Sequence, residues 1–314
     1  MITYLPKSLK KNSTIGLICP AGGLNSYKPV KLALNYLKKL GYKVKLGKSI
    51  LTSNKAYKYL SGTDRDRLAD LYNFWSDESV DAVFCLRGGY GCLRLLSLID
   101  FNRIKKHKKI LLGFSDITVL LLAFYKKCNL TTFHGPLLSY KFIDKKLKPI
   151  DSASEKKLWS VLSDSMFKFS YSGKPQSVMI KSGIANGKLL GGNLTDICSM
   201  IGSAYLPSFK DSILLLEDCY EEPYRIDRLL TQLSNAGIFE QVNGLIFSSF
   251  YKCGFKNKKE IVDLLKDRTL KYKVPTIFNF PIGHDTQNYV LPIGLCVSLD
   301  ARDASKYTLS STSL

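Results

Sequence analysis

The first half of the chain alternates short apolar runs with longer amphipathic ones, and this alternation constrains the fold more than any other feature. "TIGLICP" reads as a strand, "KPVKLALNYLKKLG" as a helix ending at Gly41, "KVKLG" as a strand and "DRDRLADLYNFWSD" as a helix. "VDAVFCL" is again a strand, a helix starts near Cys92, "KILLGF" is a strand, and "DITVLLLAFYKKC" is a helix. Repeated β-α-β text predicts an α/β sandwich, a mostly parallel sheet with helices on both faces. Such sheets bind ligands beyond the carboxyl ends of their strands, so residues directly after strands are the first candidates for chemistry.

From residue 141 the text turns polar and lysine-rich, with a short helix and then "SYSGKPQS". The expected organisation is an N-terminal α/β domain over 1–140, a linker over 141–177 and a second domain over 178–314. The second half offers "SVMIKSG", "ANGKLLGG", "SILLLED", "GLIFSSF", "PTIFNFPIG", "LPIGLCVSL" and "YTLSS" as strands, interrupted by helices at "EPYRIDRLLTQLSNAG" and "KKEIVDLLKDR". That balance predicts a β-rich domain, a barrel or a sandwich.

With 314 residues there is room for two domains, each with its own core, and 45% hydrophobic content excludes a disordered chain. No apolar run is long enough for a membrane helix and the N-terminus lacks signal-peptide order, so the expected location is the cytoplasm, without membrane insertion. The eight cysteines are scattered without a C-x-x-C pair; they read as small buried hydrophobes with free thiols. A net charge of +20 suggests nucleic acid, and "KKHKK" (105–109), "KKLK" (145–148) and "KNKK" (256–259) resemble phosphate-contacting patches. The excess is mostly lysine spread over loops and helix faces, which fits solvated surface and a field that draws in an anionic small substrate better than base reading. No nucleic-acid partner is expected.

Ser115, in "LLGFSDIT", stands where a strand hands over to a helix. A serine there is an ordinary helix cap, or else a nucleophile on a tight strand-to-helix turn, facing the Asp116 amide. "LRGGYG" (86–91) follows the preceding strand, and its glycines allow close backbone approach to a ligand. Of three histidines, His107 lies in a lysine run, His134 ends a strand, and His284 is poised on a loop after "FPIG". A carboxylate to orient an imidazole is supplied by Glu217, which directly follows four apolar residues; Asp218 and Asp285 are rivals. Neither H-E-x-x-H nor clustered Cys/His spacing is present, so no metal is expected.

"LRGGYG", "GFSDIT", "FHGP", "GGNL", "LLLEDCYEEPYRIDRLLTQL" and "FPIGH" resemble, in that order, the signature segments of the LD-carboxypeptidases, with "IGLICPAG", "SGTDRDRLADL" and "LPIG" extending the likeness over nearly the whole chain. The resemblance implies a flavodoxin- or glutamine-amidotransferase-like N-terminal domain and a β-rich C-terminal one. It implies a catalytic set of Ser115, Glu217 and His284, with oxyanion donors in the region of Gly89 and at Asp116, and a homodimer. The implied activity is removal of the terminal D-alanine from murein tetrapeptide during cell-wall recycling, a reaction for which no cofactor is expected. Arg87, Tyr90 and Arg225 are candidates for holding the terminal carboxylate. A branch of the same family hydrolyses peptidyl-adenylate antibiotics and confers immunity, and shared catalytic residues do not separate the two. An answer of another class is a non-catalytic basic binding module in which Ser115 is only a cap.

Overall fold

The computed structural model describes residues 3–52, 54, 56–138, 150–173, 176–303 and 306–312. The first nine residues of the expected linker, including the "KKLK" run at 145–148, lie outside them. In the first half, strands β1 (Thr14–Ile18), β2 (Lys43–Leu46), β3 (Ala82–Cys85), β4 (Ile110–Gly113) and β5 (Thr132–His134) pair in parallel in the order β5-β4-β3-β1-β2. Apart from β2 at the edge, these strands are buried at every position, which is why they read as unbroken apolar runs rather than alternating ones.

The crossovers are α1 (Lys28–Lys39), α2 (Asp64–Ser76), a 3-10 segment (Cys92–Leu98) with α3 (Phe101–Lys105), and α4 (Thr118–Cys128). The single helix expected from Cys92 is thus broken in two, with Asp100 capping the second piece through Asn102 and Arg103 amides. Helix α2 starts at a capping box in which Thr63 and Asp66 satisfy each other's backbone amides. Arg67, one turn in, is fully buried and donates to the carbonyls of Pro20 (2.5 Å) and Gly91 (3.0 Å). It thereby staples together the loops after β1 and β3.

The second half forms one eight-stranded mixed sheet instead of a barrel or sandwich, in the order β6-β14-β13-β8-β9-β10-β11-β7. Its centre, β8 (Ile184–Asn193), β9 (Ser212–Cys219), β10 (Gly244–Tyr251) and β11 (Thr276–Phe280), is parallel. β6 (Ser170–Ser172), β7 (Val178–Lys181), β13 (Cys296–Asp300) and β14 (Thr308–Ser311) flank it antiparallel. Parallel neighbours require crossovers, here α6 (Leu194–Met200), α7 (Pro223–Asn235) and α8 (Lys258–Thr269). The first of these hides in "GGNL" and the residues after it, too short to show a helical period.

"LPIGLCVSL" is two strands, not one. β12 (Leu291–Ile293) pairs antiparallel with β5 in the first sheet, the chain turns at Gly294 (φ +92°), and β13 joins β8 in the second. The chain therefore stitches the sheets together. Helix α5 (Ser152–Ser163), within the expected linker, stacks Trp159 on Tyr42 at 5.1 Å and takes a hydrogen bond partner for its indole from Tyr36. Both apolar cores mix the two halves: Val119 and Leu120 share one with Ile197 and Leu214, and Ile15 and Phe84 share the other with Leu189 and Ile213. Helix α4 is covered on nearly all sides for this reason. The eight cysteines are free thiols, six of them buried. Among the described residues no helix is long and apolar enough to cross a membrane.

Candidate active site

After β4 the backbone stays extended at Phe114 (φ −153°, ψ −174°) and then swings into the left-handed region at Ser115 (φ +61°) before a 3-10 turn, Ser115–Ile117, feeds α4. A non-glycine residue there costs about 1–2 kcal/mol. Ile117 folds back so closely that a Cβ on Gly113 would lie 2.6 Å from its Cγ2, which explains the glycine two residues before the serine. The helix-cap role does not describe Ser115: α4 is preceded by Ile117 as its cap, with no side-chain cap bond. The corner instead has the form of a nucleophile elbow.

The loop after β3 closes over this corner. A Cβ on Gly88 would come within 2.9 Å of Ser115 Cβ and 3.1 Å of its Oγ. Gly89 follows at φ +101°, and the Gly22 amide donates to the Gly88 carbonyl at 3.0 Å. The Asp116 carboxylate is buried and accepts from the Cys92 amide at 2.8 Å, tying the far end of the glycine loop to the residue after the serine. Burial raises the Asp116 carboxyl above its ordinary range.

Glu217, two residues before the end of β9, is wholly buried and meets His284 Nδ1 at 2.8 Å through Oε2. With a carboxylate at Nδ1, the neutral ring keeps its proton there and offers the Nε2 lone pair. Asn193 Nδ2 donates to Glu217 Oε1 at 3.3 Å and to Asp218 Oδ1 at 3.0 Å, while the Asn193 amide donates to Thr118 Oγ1 at 3.0 Å. This residue links the start of the serine's helix to the carboxylates. The two preceding glycines make the link feasible: a Cβ on Gly191 would overlap the Leu215 carbonyl oxygen, and one on Gly192 would lie 2.5 Å from Thr118 Oγ1. Gly283 (φ +102°) plays the same part before the histidine, since a Cβ there would lie 2.8 Å from Glu217 Oε2.

The His284 ring rests 4.7 Å from the ring of Phe114, the residue before the serine. On its other side Phe114 meets His134 edge-on at 5.9 Å. His134 is fully buried, neither ring nitrogen has a hydrogen-bond partner among the described residues, and burial pushes it down to about 4, so it is neutral near pH 7. Burial works to raise Glu217 as well, but the facing His284, its hydrogen bond, nearby His134 and Asn193 outweigh it and hold the carboxyl below its ordinary range. Burial and the Glu217 charge push Asp218 up to about 6, and burial raises Asp196 well above normal. Of these four carboxyls, Glu217 is the one held below its ordinary range.

The rivals point elsewhere. Asp218 accepts from the Thr195 amide and hydroxyl, at 3.0 and 2.8 Å, and Asp285 is an exposed residue that accepts from the Thr286 amide. His107 sits in the turn after α3, bonded through its amide to Ile104. Arg87 is half-buried beside the glycine loop and donates to the Gly23 carbonyl, Tyr90 projects from that loop, and Arg225 is paired with Glu221 on α7 at 2.6 Å. Asn193 and Phe114 were not singled out from the sequence; for Asn193 the signal was the Gly-Gly pair before it, as the glycines of "LRGGYG" were for the loop over Ser115. Among the described residues no group of three or more His, Cys, Asp or Glu is arranged to hold a metal ion.

Residues 15–135 match the family model of the LD-carboxypeptidase N-terminal domain, and residues 186–299 that of the LD-carboxypeptidase C-terminal domain. The chain is 35% identical over 305 residues to the "Probable murein peptide carboxypeptidase" of Bacillus subtilis, covering 96% of this chain and 93% of that protein. It is 32% identical over 301 residues to the "Murein tetrapeptide carboxypeptidase" of Pseudomonas aeruginosa, covering 91% and 92%. Among solved structures, an MccF-like protein from Bacillus anthracis superposes with a TM-score of 0.87 at 25% identity, covering 99% of this chain and 100% of that one.

Proposed function

The chain belongs to the LD-carboxypeptidase family, and from that premise we propose that it is a serine peptidase that releases the terminal D-alanine of murein tetrapeptide. The observation that carries the reading is the buried Glu217–His284 pair at 2.8 Å, lying against the residue before a serine held in a left-handed corner. His284 Nε2 takes the proton from Ser115 as its Oγ attacks the carbonyl of the L-D bond, and Glu217 stabilises the imidazolium that results. Amides of Gly89 and Asp116 receive the oxyanion, a contribution of roughly 3 to 4 kcal/mol per donor. The C–N bond then breaks, His284 returns its proton to the departing D-alanine amine, and an ester on Ser115 remains. Water, activated by His284, hydrolyses that ester. Arg87, half-buried beside the loop, takes the terminal carboxylate; Arg225 already has its partner in Glu221.

In this reading the protein acts in the cytoplasm as a homodimer on recycled cell-wall peptides. Residues 1–140 supply the serine and 178–314 the glutamate and histidine across the 141–177 linker. The test is mass-spectrometric: L-Ala-γ-D-Glu-diaminopimelate-D-Ala is incubated with wild type and with Ser115→Ala. Tripeptide and free D-alanine from the wild type alone are expected; equal release by the variant would sink the serine mechanism. A second reading, hydrolysis of peptidyl-adenylates, is favoured by the likeness to the MccF-like structure. Cleavage of such a compound with the tetrapeptide left intact would select it.

A further inference from the structure

The "KKHKK" run at 105–109 takes no part in the Ser115 site, yet the fold brings two distant parts of the chain to it. Tyr4, Lys105, His107, Lys108 and Lys127 line one hollow of about 490 Å³. Its walls are the end of α3 with the turn after it, the last turn of α4, and the N-terminal segment. The Tyr4 amide donates to the Asn129 carbonyl at 2.7 Å and the Thr131 amide to the Tyr4 carbonyl at 2.9 Å, which fixes the third wall beside the start of β5. Two of the ammonium groups are set in place by aromatic rings: Lys108 Nζ lies 3.9 Å from the centre of the Tyr4 ring, and Lys127 Nζ 5.1 Å from that of Tyr205. Among the described residues none of the three lysines has a carboxylate partner, and no carboxylate lines the hollow. The neighbouring hollow, across the ridge of His107 and Lys108, differs in that Glu78 and Asp81 line it beside Lys7 and Lys106.

We propose that the carboxylate-free hollow binds a small compound carrying two or more adjacent phosphate groups. Like charges held together in a concavity repel one another, and a bound anion relieves that repulsion. A lysine on a solvated face moves freely and loses that freedom on binding; here the rings of Tyr4 and Tyr205 have already placed two of the three, which lowers the cost of ordering them. Each ammonium brings three donors and His107 a ring N–H, a set that one phosphate, with a charge of about −2, only partly satisfies and a run of phosphates satisfies better. No arginine lines the hollow for bidentate base contacts, and its volume falls in the range of small-ligand sites, which favours a compact ligand over an extended strand. Lys127 stands on the last turn of α4 and Ser115 just before the first; eleven residues of helix put roughly 16 Å between them. The hollow is therefore separate from the Ser115 corner, and its assignment does not depend on the peptidase reading.

The experiment is calorimetric titration of the full chain with inorganic triphosphate and, separately, with inorganic phosphate at low salt. It compares wild type, the double variant Lys108→Ala/Lys127→Ala, and a control double variant, Lys31→Ala/Lys259→Ala, on exposed lysines of α1 and α8. Both double variants remove the same charge, so the general field of a chain with net charge +20 is held equal between them. Wild type is expected to take up one equivalent of triphosphate, more tightly than phosphate, with an affinity that falls as salt rises. Lys108→Ala/Lys127→Ala should weaken it about 100-fold, about tenfold for each charged hydrogen bond lost, and the control should leave it nearly unchanged; thermal midpoints check that both fold. Equal weakening by the two double variants, or no one-site binding, overturns the site. Flotation with phosphatidylglycerol vesicles and gel shifts with a short RNA separate the sources of phosphate. Capture of either through Lys108 and Lys127, with no uptake of triphosphate, overturns the small ligand.

Discussion

Replacing Glu217 by glutamine keeps the shape and removes the charge, so the outcome separates orientation from electrostatics. The carboxylate serves two donors at once, His284 Nδ1 at 2.8 Å and Asn193 Nδ2 at 3.3 Å. Glutamine has one acceptor oxygen and one NH2. If its oxygen faces His284, its NH2 confronts the Asn193 NH2, and the imidazolium formed during attack loses its counter-charge. If its NH2 faces His284, the ring must move its proton to Nε2 and ceases to be a base. Charge centres about 4 Å apart interact by about 4 kcal/mol at the effective dielectric of a protein, so kcat should fall about 1000-fold. D-alanine release at neutral pH measures it, with the thermal midpoint showing that the fold survives. A Glu217→Gln enzyme within tenfold of wild type would mean that the buried pair is structural and that the argument from it fails.

Gly88→Ala places a methyl 2.9 Å from Ser115 Cβ and 3.1 Å from Oγ, so it should displace the nucleophile and lower kcat by 10- to 100-fold, on the order of 1.4–3 kcal/mol; an unchanged kcat in steady-state assays would refute the close approach. Gly191→Ala overlaps the Leu215 carbonyl oxygen at φ +137°, and should cost at least about 3 kcal/mol or prevent folding; a denaturant midpoint equal to wild type would contradict that packing. For Asp218 the folded carboxyl sits at about 6 against 3.8 unfolded. The native state holds this proton more tightly, so the group's penalty is absent below pH 3.8 and complete above about 6. By about 1.4 kcal/mol per unit, the unfolding free energy of Asp218→Asn relative to wild type should rise by about 3 kcal/mol across that window; a difference independent of pH in urea titrations would reject the shift.

The β-α-β alternation of the first half and the strands "SILLLED" and "GLIFSSF" are legible because each strand is buried on both faces, which only continuous apolar text can satisfy. The turn around Ser115 is legible for a similarly local reason, a strand ending directly before a helix. The single parallel-centred sheet of the second half is not, because α6 is a two-turn crossover and its neighbours in the sheet are set by long-range pairing. Nor is the division of "LPIGLCVSL" between two sheets, since Gly294 permits the turn but nothing nearby selects β5 and β8 as partners. The choice between Glu217 and Asp218 shows where local information ends. Successive residues on a strand project to opposite faces, so one of the two must face His284 and the other α6. The sequence by itself determined that a carboxylate would stand near the end of β9; which of the two meets the imidazole was decided only when Asn193 came into register with Glu217 and His284 arrived from a loop 67 residues away.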